Sequence, residues 1–199
     1  MEKEEDEVYV EDKGGWVNLV AMAAKVTALV GDITVQAVDG IVNAANGLLL
    51  NGGGVCGAIF EAAGVGEMEG FLRKIKRTTG IEAVPDGQSV VTPGGRLKAK
   101  WVIHTVGPRY GQTNGRDAEL LASCYRTALA LADKKGMKTV AFPGISTGIF
   151  GYPAVEAAKV ASEAIRGELP KLKVVEEIRL VFFRPEDLEV FRRNSVLPV

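Results

Sequence analysis

The chain has 199 residues, of which 47% are hydrophobic and 25% charged, a composition that suits one globular domain and excludes a disordered polar chain. Twenty-four Lys and Arg against twenty-five Asp and Glu leave a formal charge of −1, which excludes a global field for nucleic acid or an anionic membrane. Two distant cysteines, Cys56 and Cys124, and one histidine, His104, exclude a disulfide framework and a zinc site of ordinary spacing, so neither metal nor cofactor is expected.

Residues 1–13, acidic from Glu2 to Glu7, read as a flexible tail because like charges repel and little can be buried. Residues 14–199 read as a single domain. With no basic segment ahead of an apolar run and no stretch long enough to span a bilayer, the chain is expected to be cytoplasmic and to have no membrane partner. Apolar density from Trp16 to Val30 predicts one or two strands ending at Gly31-Asp32, and Ile41-Val42 opens a short strand leading into Asn43-Ala44-Ala45-Asn46. After Gly52-Gly53-Gly54, a buried helix is predicted over Val55–Ala63, stopped by Gly64, and a second over Glu67–Thr79. Ser89–Thr92 and Lys100–Val106 read as strands around Pro93-Gly94-Gly95. Asp117–Lys135 reads as a helix closed by Gly136, Thr139–Phe142 as a buried strand, and Pro153–Arg166 as a helix with Pro in its first turn. Glu177–Phe183 is the last predicted strand and Glu186–Arg193 the last helix.

Strands alternating with helices predict a mostly parallel sheet covered on both faces, with ligands at the carboxyl ends of its strands. Two segments stand out there: Ile41–Phe60 and Thr139–Val155 contain no charged residue, follow strands and lead into helices. Both are rich in glycine, which lets backbone amides approach a ligand, and the following helix N-terminus favours an anion. Two such loops facing each other would cradle a diphosphate without a lysine. The alternative for either one alone is a tight turn over a buried core.

Three further patterns are weaker. Gly52, Gly54 and Gly57 satisfy G-x-G-x-x-G, which invites a nicotinamide oxidoreductase, but Gly47-Leu48-Leu49-Leu50-Asn51 intervenes between the strand and these glycines and no acidic residue follows roughly 20 positions on. Arg73, Lys74, Lys76 and Arg77 form a basic helix face that would touch RNA, although a solvated face is the commoner meaning and no nucleic-acid partner is expected. His104 sits inside an apolar strand and reads as a core residue.

Five blocks occur together: Gly31-Asp32-Ile33-Thr34, Val42-Asn43-Ala44-Ala45-Asn46, Gly52-Gly53-Gly54-Val55, His104-Thr105-Val106-Gly107-Pro108, and Phe142-Pro143 through Gly151. In order and spacing, from about Ala28 to Phe183, the chain resembles the macro domain family. The resemblance implies a three-layer α/β/α sandwich with a mixed, mostly parallel sheet and one cleft for ADP-ribose or an ADP-ribosylated molecule. It implies that Asp32 accepts a hydrogen bond from the adenine amine with Ile33 beside it, and that Asn46 binds the distal ribose. It assigns Gly53, Gly54 and Val55 to the first diphosphate loop and Ser146, Thr147, Gly148, Ile149 and Phe150 to the second, with Phe150 against the distal ribose. Phe183 corresponds to the aromatic that stacks on adenine, core packing being the other reading of that residue. Asn43 reads as a brace for its loop.

The chain departs from the hydrolytic members at one place. Where they carry G-G-G-V-D-G-A-I-H, it reads Gly52-Gly53-Gly54-Val55-Cys56-Gly57-Ala58-Ile59-Phe60. Cys56 stands at the position of the acid that activates water and Phe60 at that of the histidine, so a binding module is expected. The alternative is a weak hydrolase (an O-acetyl-ADP-ribose deacetylase, a de-ADP-ribosylase or an ADP-ribose-1''-phosphate phosphatase) with the Asn46 amide as helper. A thiol at a helix N-terminus also admits a nucleophilic Cys56, although no histidine is at hand as its base. The sequence leaves the oligomeric state open.

Overall fold

The computed structural model describes residues 9–12, 15–18 and 24–199. Strand β1 (Tyr9–Asp12) pairs antiparallel with β2 (Gly15–Asn18), so the stretch read as a tail contains a paired strand. Tyr, Val and Trp are strand formers, and only two residues separate the strands, a spacing that suits a hairpin. The remaining expectations for residues 1–8, 13–14 and 19–23 lie outside the described residues.

The main sheet has six strands: β3 (Lys25–Val30), β4 (Gly40–Ala45), β5 (Ser89–Pro93), β6 (Trp101–Val106), β7 (Thr139–Phe142) and β8 (Glu177–Phe182). Their order is β3-β8-β7-β4-β6-β5, and every neighbouring pair is parallel except β5–β6. Five helices cover it: α1 (Val55–Ala63), α2 (Val65–Thr79), α3 (Asp117–Lys134), α4 (Ala154–Glu168) and α5 (Pro185–Asn194). Helices α1 and α2 pack on one face and α3, α4 and α5 on the other, giving the three-layer α/β/α sandwich with a mixed, mostly parallel sheet.

The two-residue period of the strands sorts side chains between two cores. Ile41 and Ala45 of β4, Val102 and Val106 of β6 and Ala141 of β7 join α1 and α2, whereas Val42, Ile103, Val140 and Phe142 join the other helices. Burial of each large side chain here stabilises the fold by about 1.5–3 kcal/mol.

Helix α2 starts two residues earlier than predicted because Gly64, at φ 91°, ends α1 and opens α2 at once. Its N–H donates to the Glu61 carbonyl and its own carbonyl accepts from Met68 N–H. Helix α5 has Pro185 in its first turn, acids there and Arg192 and Arg193 in its last, in accord with the helix dipole.

Carboxylates tie the amino ends of the strands. Asp39, just before β4, accepts from the N–H groups of Lys138 (3.0 Å) and Thr139 (3.2 Å) and from Lys100 Nζ (3.1 Å). Burial works against its ionisation, but these bonds prevail and hold the carboxyl below its usual range. Asp133 Oδ1 accepts from the N–H groups of Lys173, Val174 and Val175 ahead of β8. At the other end, β4 and β7 are neighbours, so the two uncharged segments leave the sheet side by side.

Candidate ligand-binding site

A cleft of about 690 Å³ opens at the carboxyl ends of β3, β4, β7 and β8. Gly53, Gly54 and Val55 line one wall and Ser146 through Phe150 the other. Gly54 takes φ 62° and Ser146 φ 64°, conformations that swing the adjoining peptides out of strand geometry. The second loop is held by Tyr152 N–H on the Ser146 carbonyl (3.0 Å) and Gly151 N–H on that of Gly148 (2.9 Å). Among the described residues, the N–H groups of Gly53, Gly54, Thr147, Gly148, Ile149 and Phe150 donate to no backbone or side-chain acceptor. Two uncharged loops therefore present rows of uncommitted donors to the cleft, an arrangement that receives an anion.

Asp32 and Ile33 stand at one end of the cleft. Asp32 Oδ1 accepts from Thr34 N (2.8 Å) and Oγ1 (2.7 Å), capping a short helical turn over Ile33–Val35, while Oδ2 takes no hydrogen bond among the described residues. One carboxylate thus caps the turn and keeps an acceptor for a ligand. Phe183 falls just past β8, lines the same end and is 81% exposed, which removes core packing as its role. Beside it Arg184 grips Asp187 through two bonds of 2.9 Å. Phe150 stands at the other end, where Gly107 also lines the wall. A methyl group on Gly107 would collide with Ser146, so glycine there keeps the second loop in place.

The floor escaped the sequence reading. Ala154, Ala157, Ala158 and Ala161 of α4 line the cleft with Tyr125, which stacks on Phe142 at 5.4 Å between centroids. The signal was present as four alanines at helical spacing on one face, where larger residues would have filled the space.

Two expected residues lie outside the cleft. Asn46 lines a neighbouring cavity instead, and its amide is committed to its own loop: Nδ2 donates to the Leu50 carbonyl (2.7 Å) and Oδ1 accepts from Leu50 N–H (3.1 Å). This clasp holds Leu49 at φ 56°, where a side chain needs external support. Cys56 is buried and lines neither cavity. Burial pushes its thiol up, opposite to the activation a helix N-terminus alone would give, so the nucleophile reading loses its basis.

Cys56 ends a buried polar line. Asn43 Nδ2 donates to Cys56 Sγ (3.6 Å) and to His104 Nδ1 (3.1 Å), so His104 carries its proton on Nε2 and donates it to Thr92 Oγ1 (2.9 Å). Burial lowers the His104 pKa to about 3, which keeps the ring neutral. Phe60, edge-on to His104 at 6.4 Å, is core. Asn43 therefore braces the base of the first loop.

The neighbouring cavity, about 570 Å³, shares Gly107 and Phe150 with the cleft and is also lined by Asn46, Asp86, Arg109 and Gln112. The Arg109 guanidinium lies 4.6 Å from the Phe150 ring centroid. Burial raises the Asp86 carboxyl and Arg109 partly offsets it. No helix among the described residues is long and apolar enough to cross a membrane.

A family model described as the Macro domain matches residues 42–161. A macro domain-containing protein of Streptomyces griseus is 46% identical over 153 residues, 77% of this chain and 84% of that protein. The O-acetyl-ADP-ribose deacetylase of Salmonella gallinarum is 40% identical over 172 residues, covering 86% of this chain and 94% of that one. A variant of the Oceanobacillus iheyensis macrodomain, solved with ADPR, superposes with a TM-score of 0.82 at 39% identity over 86% of this chain and 92% of its own.

Proposed function

Since the chain belongs to the macro domain family, we propose that its cleft binds ADP-ribose or an ADP-ribosyl group. One observation carries the reading: two facing uncharged loops offer uncommitted N–H groups to a cleft of the right order for a dinucleotide-sized ligand. The diphosphate lies between residues 53–55 and 146–150, neutralised by peptide dipoles rather than by lysine. Adenine stacks on the exposed Phe183 and gives its amine hydrogen to the open oxygen of Asp32. A carboxylate accepts and cannot donate, so the guanine carbonyl is refused at the same point. With adenine at Asp32 and Phe183, the distal ribose reaches the Phe150 end.

Hydrolysis of an ADP-ribosyl ester is the second reading, favoured by the deacetylase relative. Against it stand a buried thiol where the resemblance calls for a water-activating acid and an Asn46 amide already engaged by Leu50. Calorimetric titration with ADP-ribose, beside an assay for ADP-ribose released from an ester substrate, tests both. Saturable micromolar binding with no release is expected; release at an enzymatic rate moves the protein to the hydrolases, and absence of binding ends the proposal.

A further inference from the structure

The formal charge of −1 hides an uneven distribution. Residues 1–8 hold five acids against one lysine, so residues 9–199 carry +3 where the whole chain carries −1. Lysines gather along the amino ends of the strands, the end of the sheet opposite the cleft. Lys25 opens β3, Lys98 precedes β6, Lys134 and Lys135 end α3, and Lys173 precedes β8; all five are exposed.

Cohesion of the fold accounts for only part of this charge. Lys100 bridges to Asp39 (3.1 Å), Lys138 to Glu176 (2.7 Å) and Lys171 to Glu168 (2.8 Å), while Asp133 is taken up by backbone N–H groups. Glu177 is held by Arg179. The carboxylates of this rim are thus engaged, and the five lysines named above form no salt bridge among the described residues. The dipole of α3 favours Lys134 and Lys135 at its C-terminus but does not explain Lys25 or Lys98 at the strand starts. One aromatic ring lies among them: Trp101, the first residue of β6, is half-buried with Lys135 Nζ 4.8 Å from its ring centroid. From β6 to β3 the rim crosses β4, β7 and β8, four strand spacings of roughly 4.8 Å or ~19 Å in all. That length suits a short run of an extended polymer rather than one isolated phosphate.

We propose that this rim binds single-stranded nucleic acid, with phosphates along the five unbridged lysines and a base against Trp101. The local field does what the net charge of the whole chain does not. Lysines act on phosphates as point charges and read no base, so binding is sequence-independent and salt-sensitive. A ring among them adds a stacking surface that any base fits. Because rim and cleft lie at opposite ends of the strands, a strand on the rim leaves the cleft free, and the inference holds whatever the cleft binds.

Fluorescence anisotropy of a labelled oligouridylate of about 12 nucleotides, titrated with the full chain from about 50 to about 200 mM salt, tests this. The logarithm of affinity is expected to fall against that of salt with a slope of about −2 to −3, three or four phosphates at about 0.7 each. Lys98→Gln, Lys134→Gln and Lys173→Gln combined should flatten the slope by about 2 and weaken binding about tenfold or more. These three side chains are exposed and unbridged, so the variant keeps the thermal midpoint of the wild type. Trp101→Leu should weaken oligouridylate severalfold and leave inorganic polyphosphate, which has no bases, unchanged. Arg73→Gln with Arg77→Gln, on the basic face of α2, should change neither. Absence of salt-dependent binding, or binding indifferent to the triple substitution, sinks the proposal, and loss through the α2 pair moves the contact to that helix. Displacement of the oligonucleotide by ADP-ribose would put it in the cleft instead. Polyphosphate or anionic phospholipid vesicles bound as tightly as oligouridylate would overturn nucleic acid as the partner.

Discussion

At the amino ends of the central strands, Asp39 and Asp133 gather backbone N–H groups from neighbouring segments and give them acceptors inside the protein. At the carboxyl ends, glycines and the left-handed Ser146 turn N–H groups outward and leave them without one. The same sheet is thus closed with charge at one end and left open with uncharged backbone at the other. The contrast teaches how stability and binding are kept apart: carboxylates supply local acceptors where cohesion is needed, while the two loops that would face a diphosphate carry no charged side chain.

Three measurements press on that division, beginning with the largest effect. The neutral, buried His104 lies beneath the first loop and belongs to the open end, so acid should weaken the fold there. Its unfolded pKa is near 6.5 and its folded value about 3, so below pH 6.5 the unfolded chain binds a proton the native state refuses. Stability should fall on acidification through that window, by up to about 1.4 kcal/mol per pH unit. Urea denaturation between pH 6.5 and 4.5, above the range where the Asp39 and Asp133 carboxylates titrate, reads this contribution; a flat midpoint would show that His104 is hydrated or paired.

Asp39→Ala comes next. It strands two N–H groups and Lys100, and should cost about 2–3 kcal/mol in urea denaturation while ADP-ribose affinity of the folded protein stays within about twofold. A matching loss of affinity would mean that the two ends are coupled. Phe183→Ala should do the reverse: a residue 81% exposed contributes little to stability, but loss of base stacking should weaken ADP-ribose binding by about 1–3 kcal/mol. A destabilised Phe183→Ala variant with unchanged affinity would return that ring to the core.

Much of the open end was legible because its signals are local. Absence of charge over residues 41–60 and 139–155, glycines after strands, and strand–loop–helix order all point to β4, β7 and the loops between them and α1 and α4. Asn46 was less legible. Its engagement follows from the left-handed turn at Leu49, which leucine does not favour and only the completed clasp supports. Gly64 as a shared cap was hidden for a related reason, since a stop signal and a start signal there are one residue. The second cavity had no local signature, because its walls come from segments around residues 46–51, 83–86 and 107–113 that only the fold assembles. The strand Tyr9–Asp12 was masked by its acidic neighbours, whose charge dominated the reading of that stretch.

The alanine face of α4 gives the cleft a gauge. Its depth is set by side chains that end at Cβ: a methyl group added at Ala154, the exposed one of the four, takes space from the ligand's side, whereas at the buried Ala157, Ala158 or Ala161 it also crowds the core shared with α3 and α5. The helix thus couples the size of what enters to the packing of the layer behind it, and Ala154 is the position where the first can be changed with least disturbance to the second.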